Sequence, residues 1–230
     1  MRNRWFERAE GEAVVLRKPP RLASWNKGTD PAQVRLREYL EDTQDLLASS
    51  TVTGPWALRL DVGLAPGQDL IYMADLDNYA LPLAMHVQTD QLVSVWCTKR
   101  HSESSMVRVA PARETTAPAE VFVVRTTASS ETKAYKEQVH AAVAEADEIP
   151  GGAVWLQVSF TVSPRRNWLN LWKPTIDALD PLLGRTREER DWHPKDGRII
   201  ELGMHLSVDP NLGNDVVLGI AAGQTAGARA

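Results

Sequence analysis

Apolar and polar residues alternate strictly at two places in this chain, and the two places match. WALRLDVGLAP (Trp56 to Pro66) and VWLQVSFTVSP (Val154 to Pro164) both carry the period of two that predicts a half-buried strand ending at a proline. Aligning Pro66 with Pro164 sets Leu58, Leu60, Val62 and Leu64 opposite Leu156, Val158, Phe160 and Val162. Upstream, AVVLRK (Ala13 to Lys18) and EVFVVRT (Glu120 to Thr126) predict two further strands. Each is followed by a stretch of helical period, Asp30 to Leu47 and Ser130 to Asp147. Asp30-Pro31 supplies a carboxylate cap and a proline at the first helical position, and Val34, Leu36, Tyr39, Leu40, Leu46 and Leu47 form the apolar stripe. In the second stretch Tyr135, Val139, Ala142 and Val143 share a face, with Tyr135 at a depth similar to that of Tyr39.

Downstream, each half continues with a polar loop, an apolar patch ending near a proline or glycine, and two more strand-like runs. Elements that recur in one order predict a duplicated domain. The expected fold is α+β, a small mixed sheet with covering helices in each of two units, 12–110 and 119–222, related by an approximate two-fold axis. The Pro- and Thr-rich stretch 111–118 reads as their linker, residues 1–11 as a loose polar arm, and the AAGQTAGARA end as a fraying tail.

Composition narrows the class. No apolar run approaches the roughly 18 residues of a membrane span, and MRNRWFERAEGE has no signal-peptide core, so the expectation is a soluble, cytoplasmic protein without a membrane partner. The single cysteine, Cys97, excludes an internal disulfide and a Cys-based zinc cluster; inside LVSVWC it reads as a small buried hydrophobe. A net charge of −4 argues against a broad nucleic-acid-coating surface and leaves room for a local basic groove.

The sharpest chemical signal is Asp75-Leu76-Asp77-Asn78. Two aspartates at i and i+2 can aim both carboxylates at one hard divalent cation, Mg²⁺ or Mn²⁺. The same tetrapeptide also serves as a solvated turn or a cap for the following helix. Lys99-Arg100 and Arg165-Arg166 are candidate phosphate contacts, with plain surface charge as the alternative. Trp168 and Trp172 offer rings for base stacking or for a core, and His205, in the strand-like LGMHLSV, reads as a core histidine.

In the second half, RNWLNLWKPTIDAL (Arg166 to Leu179) stands in the place equivalent to the Asp75-Leu76-Asp77-Asn78 region of the first; Pro82 pairs with Pro174, and Asp75, Asp77 and Asn78 fall opposite Asn167, Leu169 and Asn170. Together these segments resemble the RusA-type Holliday-junction resolvases, whose D-L-D-N-L-x-K-x-x-x-D-A-L string is followed by D-D-x-x-I at the next strand. The first half keeps the D-L-D-N part. The second keeps Asn170, Leu171, Lys173 and Asp177-Ala178-Leu179, then Lys195-Asp196-Gly197-Arg198-Ile199. Neither half holds the full set: Leu81 stands at the lysine position of the first half, and only Asp90 lies near its later acidic position.

The resemblance implies Mg²⁺- or Mn²⁺-dependent, structure-selective cleavage of branched DNA, by one chain that imitates a homodimer and acts as a monomer. It implies Asp75 and Asp77 as catalytic metal ligands, Asp90 or Asp196 as the completing acid, and Lys173 as the charge-stabilising cation. It also leaves open a degenerate scaffold that binds a protein or nucleic-acid partner without cutting. Lys173 and Asp177, four apart, are expected to pair on one helix and to stabilise it instead of serving catalysis, because the second half lacks the aspartate pair they would assist.

Overall fold

The computed structural model describes residues 3–23, 27–50, 52–72, 75–187 and 189–225. It is a mixed α+β fold in which eight strands join in one sheet. In chain order the elements are β1 (Trp5–Phe6), β2 (Val14–Val15), α1 (Pro31–Leu47), β3 (Trp56–Leu64), α2 (Leu76–Val87), β4 (Leu92–His101) and β5 (Met106–Pro111). There follow β6 (Glu114–Thr115), β7 (Phe122–Thr126), α3 (Lys133–Val143), β8 (Val154–Val162), α4 (Trp172–Asp177), α5 (Asp180–Leu183), β9 (Ile199–Val208) and β10 (Val216–Gln224). Single 3-10 turns, Trp168–Leu171 and Asp196–Arg198, lead into α4 and β9.

The sheet order is β2-β5-β3-β4-β9-β8-β10-β7, and it reads alike from both edges. Two antiparallel pairings and one parallel pairing lead inward from β2 through β5 and β3 to β4. The same sequence leads from β7 through β10 and β8 to β9. Both parallel pairs carry a register irregularity at corresponding places, Trp56/Ala57 and Val154/Trp155. β4 and β9 close the middle antiparallel, with Trp96 opposite Gly203. Those two residues are each other's counterparts, since Trp96 pairs outward with Arg59 and Gly203 with Gln157. A Cβ on Gly203 would stand 3.0 Å from the Trp96 ring, so a large and a small residue share the centre of the sheet.

Period-two alternation gives the sheet two unlike faces. Leu58, Leu60, Val95, Cys97, Leu156, Val158, Leu202 and Met204 meet the helices in one continuous core, together with the fully buried Tyr39 and Tyr135. The other face carries Arg59, Asp61, Ser94, Trp96, Gln157, Ser159 and His205. There Asp61 accepts from Arg59 (2.8 Å), Thr98 (2.7 Å) and Arg108. Burial alone would raise its carboxyl, yet these bonds and the two guanidinium charges hold it below the usual range.

Residues 3–10 are not a loose arm. Trp5 and Phe6 are buried against His205, and β1 pairs with β6 inside the expected linker. Asn3 and Arg4 bond Ser159 and Ser207, and the Trp96 indole donates to the Glu7 carbonyl. The arm covers the apolar part of a sheet face that has no helix of its own, and that burial holds it. Nor is the end of the chain all tail: β10 runs to Gln224 and Ala221 is fully buried, while 226–230 lie outside the described residues. Among the described residues no helix is long and apolar enough to cross a membrane.

Candidate metal centre

The central antiparallel joint assembles the site. α2 is the crossover between the parallel strands β3 and β4, so its N-terminus lies at their C-terminal ends. β9 runs against β4, and Thr98 pairs with Glu201, which brings the start of β9 to that same end. Asp75 is the N-cap residue of α2 and Asp77 lies in its first turn, while Asp196 opens the turn before β9. Carboxylate oxygens of Asp75, Asp77 and Asp196 all lie within 4.8 Å of one another. Two carboxylates of the first half thus meet one of the second.

The electrostatics are those of a site short of positive charge. Asp77 is 2% exposed, and its Oδ2 is buried without a hydrogen-bond partner. Burial, with the Asp75 and Asp177 charges behind it, pushes the Asp77 carboxyl up from 3.8 to about 6 against the pull of Lys173. Asp196 is pushed further, to about 7, by burial and then by Asp75 and Asp77, again opposed by Lys173. Like charges about 4 Å apart repel by about 4 kcal/mol at an effective dielectric near 20. Asp75 is steadied by the Asn78 amide, which donates to its Oδ2 at 3.1 Å.

Two lysines reach the cluster. α2 packs on α4, and Lys173 feels Asp77 first, then Asp177 and Asp196; these charges outweigh burial and raise its ammonium above the usual range. Lys173 also donates to Asp177 at 2.9 Å, the expected pair, and Asp177 accepts from Lys136 at 2.6 Å as well. Lys173 therefore serves its helix and faces the acids at once. Lys99 is 2% exposed and donates to the Gly197 carbonyl at 2.6 Å. Burial lowers it to about 8, against the attraction of Asp75 and Asp196.

The cluster opens on a cleft of about 470 Å³ whose walls include Ile71, Tyr72, Gly151, Gly152 and Lys195. Tyr72 stands 79% exposed at its edge. Arg198 is spent on the scaffold: its guanidinium donates to the carbonyls of Gly152, Leu183, Ile149 and Pro150 and pins the cleft wall beside Asp196.

An all-oxygen set of three carboxylates, one bearing an unpartnered buried oxygen, fits a hard divalent cation that keeps some of its waters. Side chains of this kind leave coordination positions for a substrate phosphate.

No protein-family model, curated protein or solved structure matches this chain significantly.

Several sequence expectations change. Asp90 is exposed just ahead of β4, at the opposite end of that strand from the cluster, and does not join it. Arg165 and Arg166 follow the far end of β8, away from the acids. Arg100 is exposed near the site's end of β4, but on the face opposite Lys99. Lys99 itself is no surface phosphate contact. It shares the apolar side of β4 with Val95 and Cys97, a charged residue on a buried parity, and that parity was the signal in the sequence. Trp168 and Trp172 are core, buried edge-to-face at 5.2 Å between ring centroids. Cys97 is fully buried, and His205 is buried against Ser94 (3.0 Å).

Proposed function

We propose that the chain is a tandem RusA-like protein, two α+β units forming an intramolecular pseudo-dimer, and that it hydrolyses phosphodiester bonds of branched DNA with Mg²⁺ or Mn²⁺. The observation that carries this reading is the convergence of Asp75, Asp77 and Asp196 around an unpartnered, buried carboxylate oxygen with Lys173 alongside. The repeated strand order supports the pseudo-dimer. DNA as substrate rests on the D-L-D-N and later K-x-x-x-D-A-L segments, and a cytoplasmic location follows from that substrate.

The chemistry follows from charge. Asp75, Asp77 and Asp196 would hold a divalent cation, which would supply an activated water and offset charge on the phosphate oxygens. The water oxygen adds to phosphorus, the bond from phosphorus to one sugar oxygen breaks, the leaving oxygen takes up a proton and the water gives one up. Lys173, kept protonated by its carboxylates, stands to offset charge on the non-bridging oxygens. Asp177 holds it there.

The test is cleavage of a synthetic four-way junction with Mg²⁺ and Mn²⁺, wild type against Asp77→Asn. Cleavage by wild type with a loss on the order of a hundredfold or more in the variant supports the reading. Equal cleavage by both refutes it. The net charge of −4 favours the second reading, a scaffold that binds without cutting; retention of the junction by both proteins without any product would establish it.

A further inference from the structure

We infer that this protein cuts one strand per encounter with DNA and releases a nick, because its symmetric frame holds one site where two positions exist. The inference rests on the nuclease reading above and asks how many bonds are cut. The pairing that relates Trp96 to Gly203 also relates the acid cluster to a second position at the opposite end of the sheet. There Asn167 takes the N-cap position of the 3-10 turn, the position Asp75 takes at α2, and spends its side-chain oxygen accepting from the Leu169 amide at 3.1 Å. Leu169 stands in the place of Asp77 and Leu81 in the place of Lys173. Leu169 is 0% exposed and Leu81 is 9% exposed, and both belong to the common core.

The remaining members are lost too. The start of β4 matches the start of β9, which puts Thr89 in the place of Asp196, with exposed Asp90 beside it. Thr89 is engaged locally, its Oγ1 accepting from the Trp56 indole at 3.0 Å. Lys99 is matched by Leu206. At the working end a buried carboxylate and two lysines face one another; at the other end leucines fill the same places. An apolar plug cannot hold a divalent cation, which needs oxygen ligands. Two incisions within one encounter need two such sites, and among the described residues the frame supplies one.

The experiment uses the full chain on a supercoiled plasmid bearing an extruded inverted repeat, with Mg²⁺. The protein is limiting, and excess unlabelled junction is added as cleavage starts, so that each plasmid is met once. The expected product is nicked circle with little or no linear DNA, because the first nick releases the supercoiling that holds the repeat extruded. Asp77→Asn is expected to lose nicks as well as linear product, by the same factor, since no second site remains to nick. Melting of the variant is followed in parallel to show that it is folded. Linear DNA appearing as fast as nicks within a single encounter overturns the inference. So does nicking that survives in Asp77→Asn while linear DNA disappears, the pattern of two sites with one disabled. Absence of any product from wild type sinks the nuclease reading, and this inference with it.

Discussion

Asp77→Asn should make the metal-free protein more stable at neutral pH. Asp77 is ionised at pH 7.5 while buried, unpartnered and close to two other carboxylates. A carboxyl moved from 3.8 to about 6 on folding is worth about 3 kcal/mol against the ionised folded state, at about 1.4 kcal/mol per pH unit. The asparagine amide removes that charge and offers N–H donors to Asp75 and Asp196, so its own burial is compensated. Lys173 keeps its bond to Asp177. Allowing for incomplete relaxation, the gain should be roughly 1–3 kcal/mol. For a chain of this size that is a rise in Tm of roughly 3–10 °C in EDTA at pH 7.5.

The pH dependence fixes the cause. A carboxyl whose folded value is raised contributes stability at low pH that is lost as pH climbs from 3.8 through about 6. The advantage of Asp77→Asn should therefore be absent near pH 4, grow through pH 4 to 6, and grow further towards pH 7 as Asp196, itself pushed up by Asp77, ionises. His205 pulls the wild-type profile the other way: burial lowers its imidazole from 6.5 to about 3, so stability present above 6.5 is lost on acidification. Because His205 is common to both proteins, it cancels from the difference between the two melting curves, which leaves Asp77 and the Asp196 carboxyl that it repels. Saturating Mg²⁺ should raise the wild-type Tm and leave the variant nearly unmoved, since ligand binding to the folded state adds stability by mass action. A variant that melts at or below wild type in EDTA at pH 7.5 would refute the reasoning and make Asp77 an ordinary structural carboxylate.

Lys173→Met should keep the fold and lower turnover on a four-way junction by roughly ten- to a hundredfold, because it removes a charge facing Asp77 and Asp196 while Lys136 still pairs with Asp177; unchanged turnover would return this lysine to a purely helical role. Gly203→Ala should destabilise the protein by about 1–3 kcal/mol, read from the urea midpoint, because its Cβ would press on a Trp96 ring anchored by a 3.1 Å bond to the Glu7 carbonyl. An unshifted midpoint would mean that the ring gives way freely.

Much of the frame was legible because it depends on local pattern. Alternation and terminal prolines marked β3 and β8, and Asp30-Pro31 marked the start of α1, where Asp30 accepts from the Ala32 amide at 2.8 Å. The arm was not legible. Trp5 and Phe6 are two apolar residues in a charged stretch, and the surface they cover exists only once β4 and β9 have paired. The same pairing explains the errors at the site. Asp90 was attractive as the acid of its own half, whereas the antiparallel joint turns that end of β4 away and delivers Asp196 from the other half. Asp75 and Asp77 were readable from their spacing; the meeting of Lys173 and Lys99 with them is a tertiary fact.

That joint also accounts for how the site can exist. Three carboxylates held within 4.8 Å oppose folding in the absence of a cation, and the 3-10 turn that carries Asp196 has little local structure with which to resist. The resistance comes from the sheet beneath. Leu60, Cys97, Leu202 and Leu156 run across the joint in one buried row, under helices from both halves. Each fully buried leucine contributes roughly 1.5–3 kcal/mol of transfer free energy, so a row of this kind outweighs a repulsion of a few kcal/mol. Because Asp75 and Asp77 belong to one half and Lys173 and Asp196 to the other, neither half alone can present the ligand set.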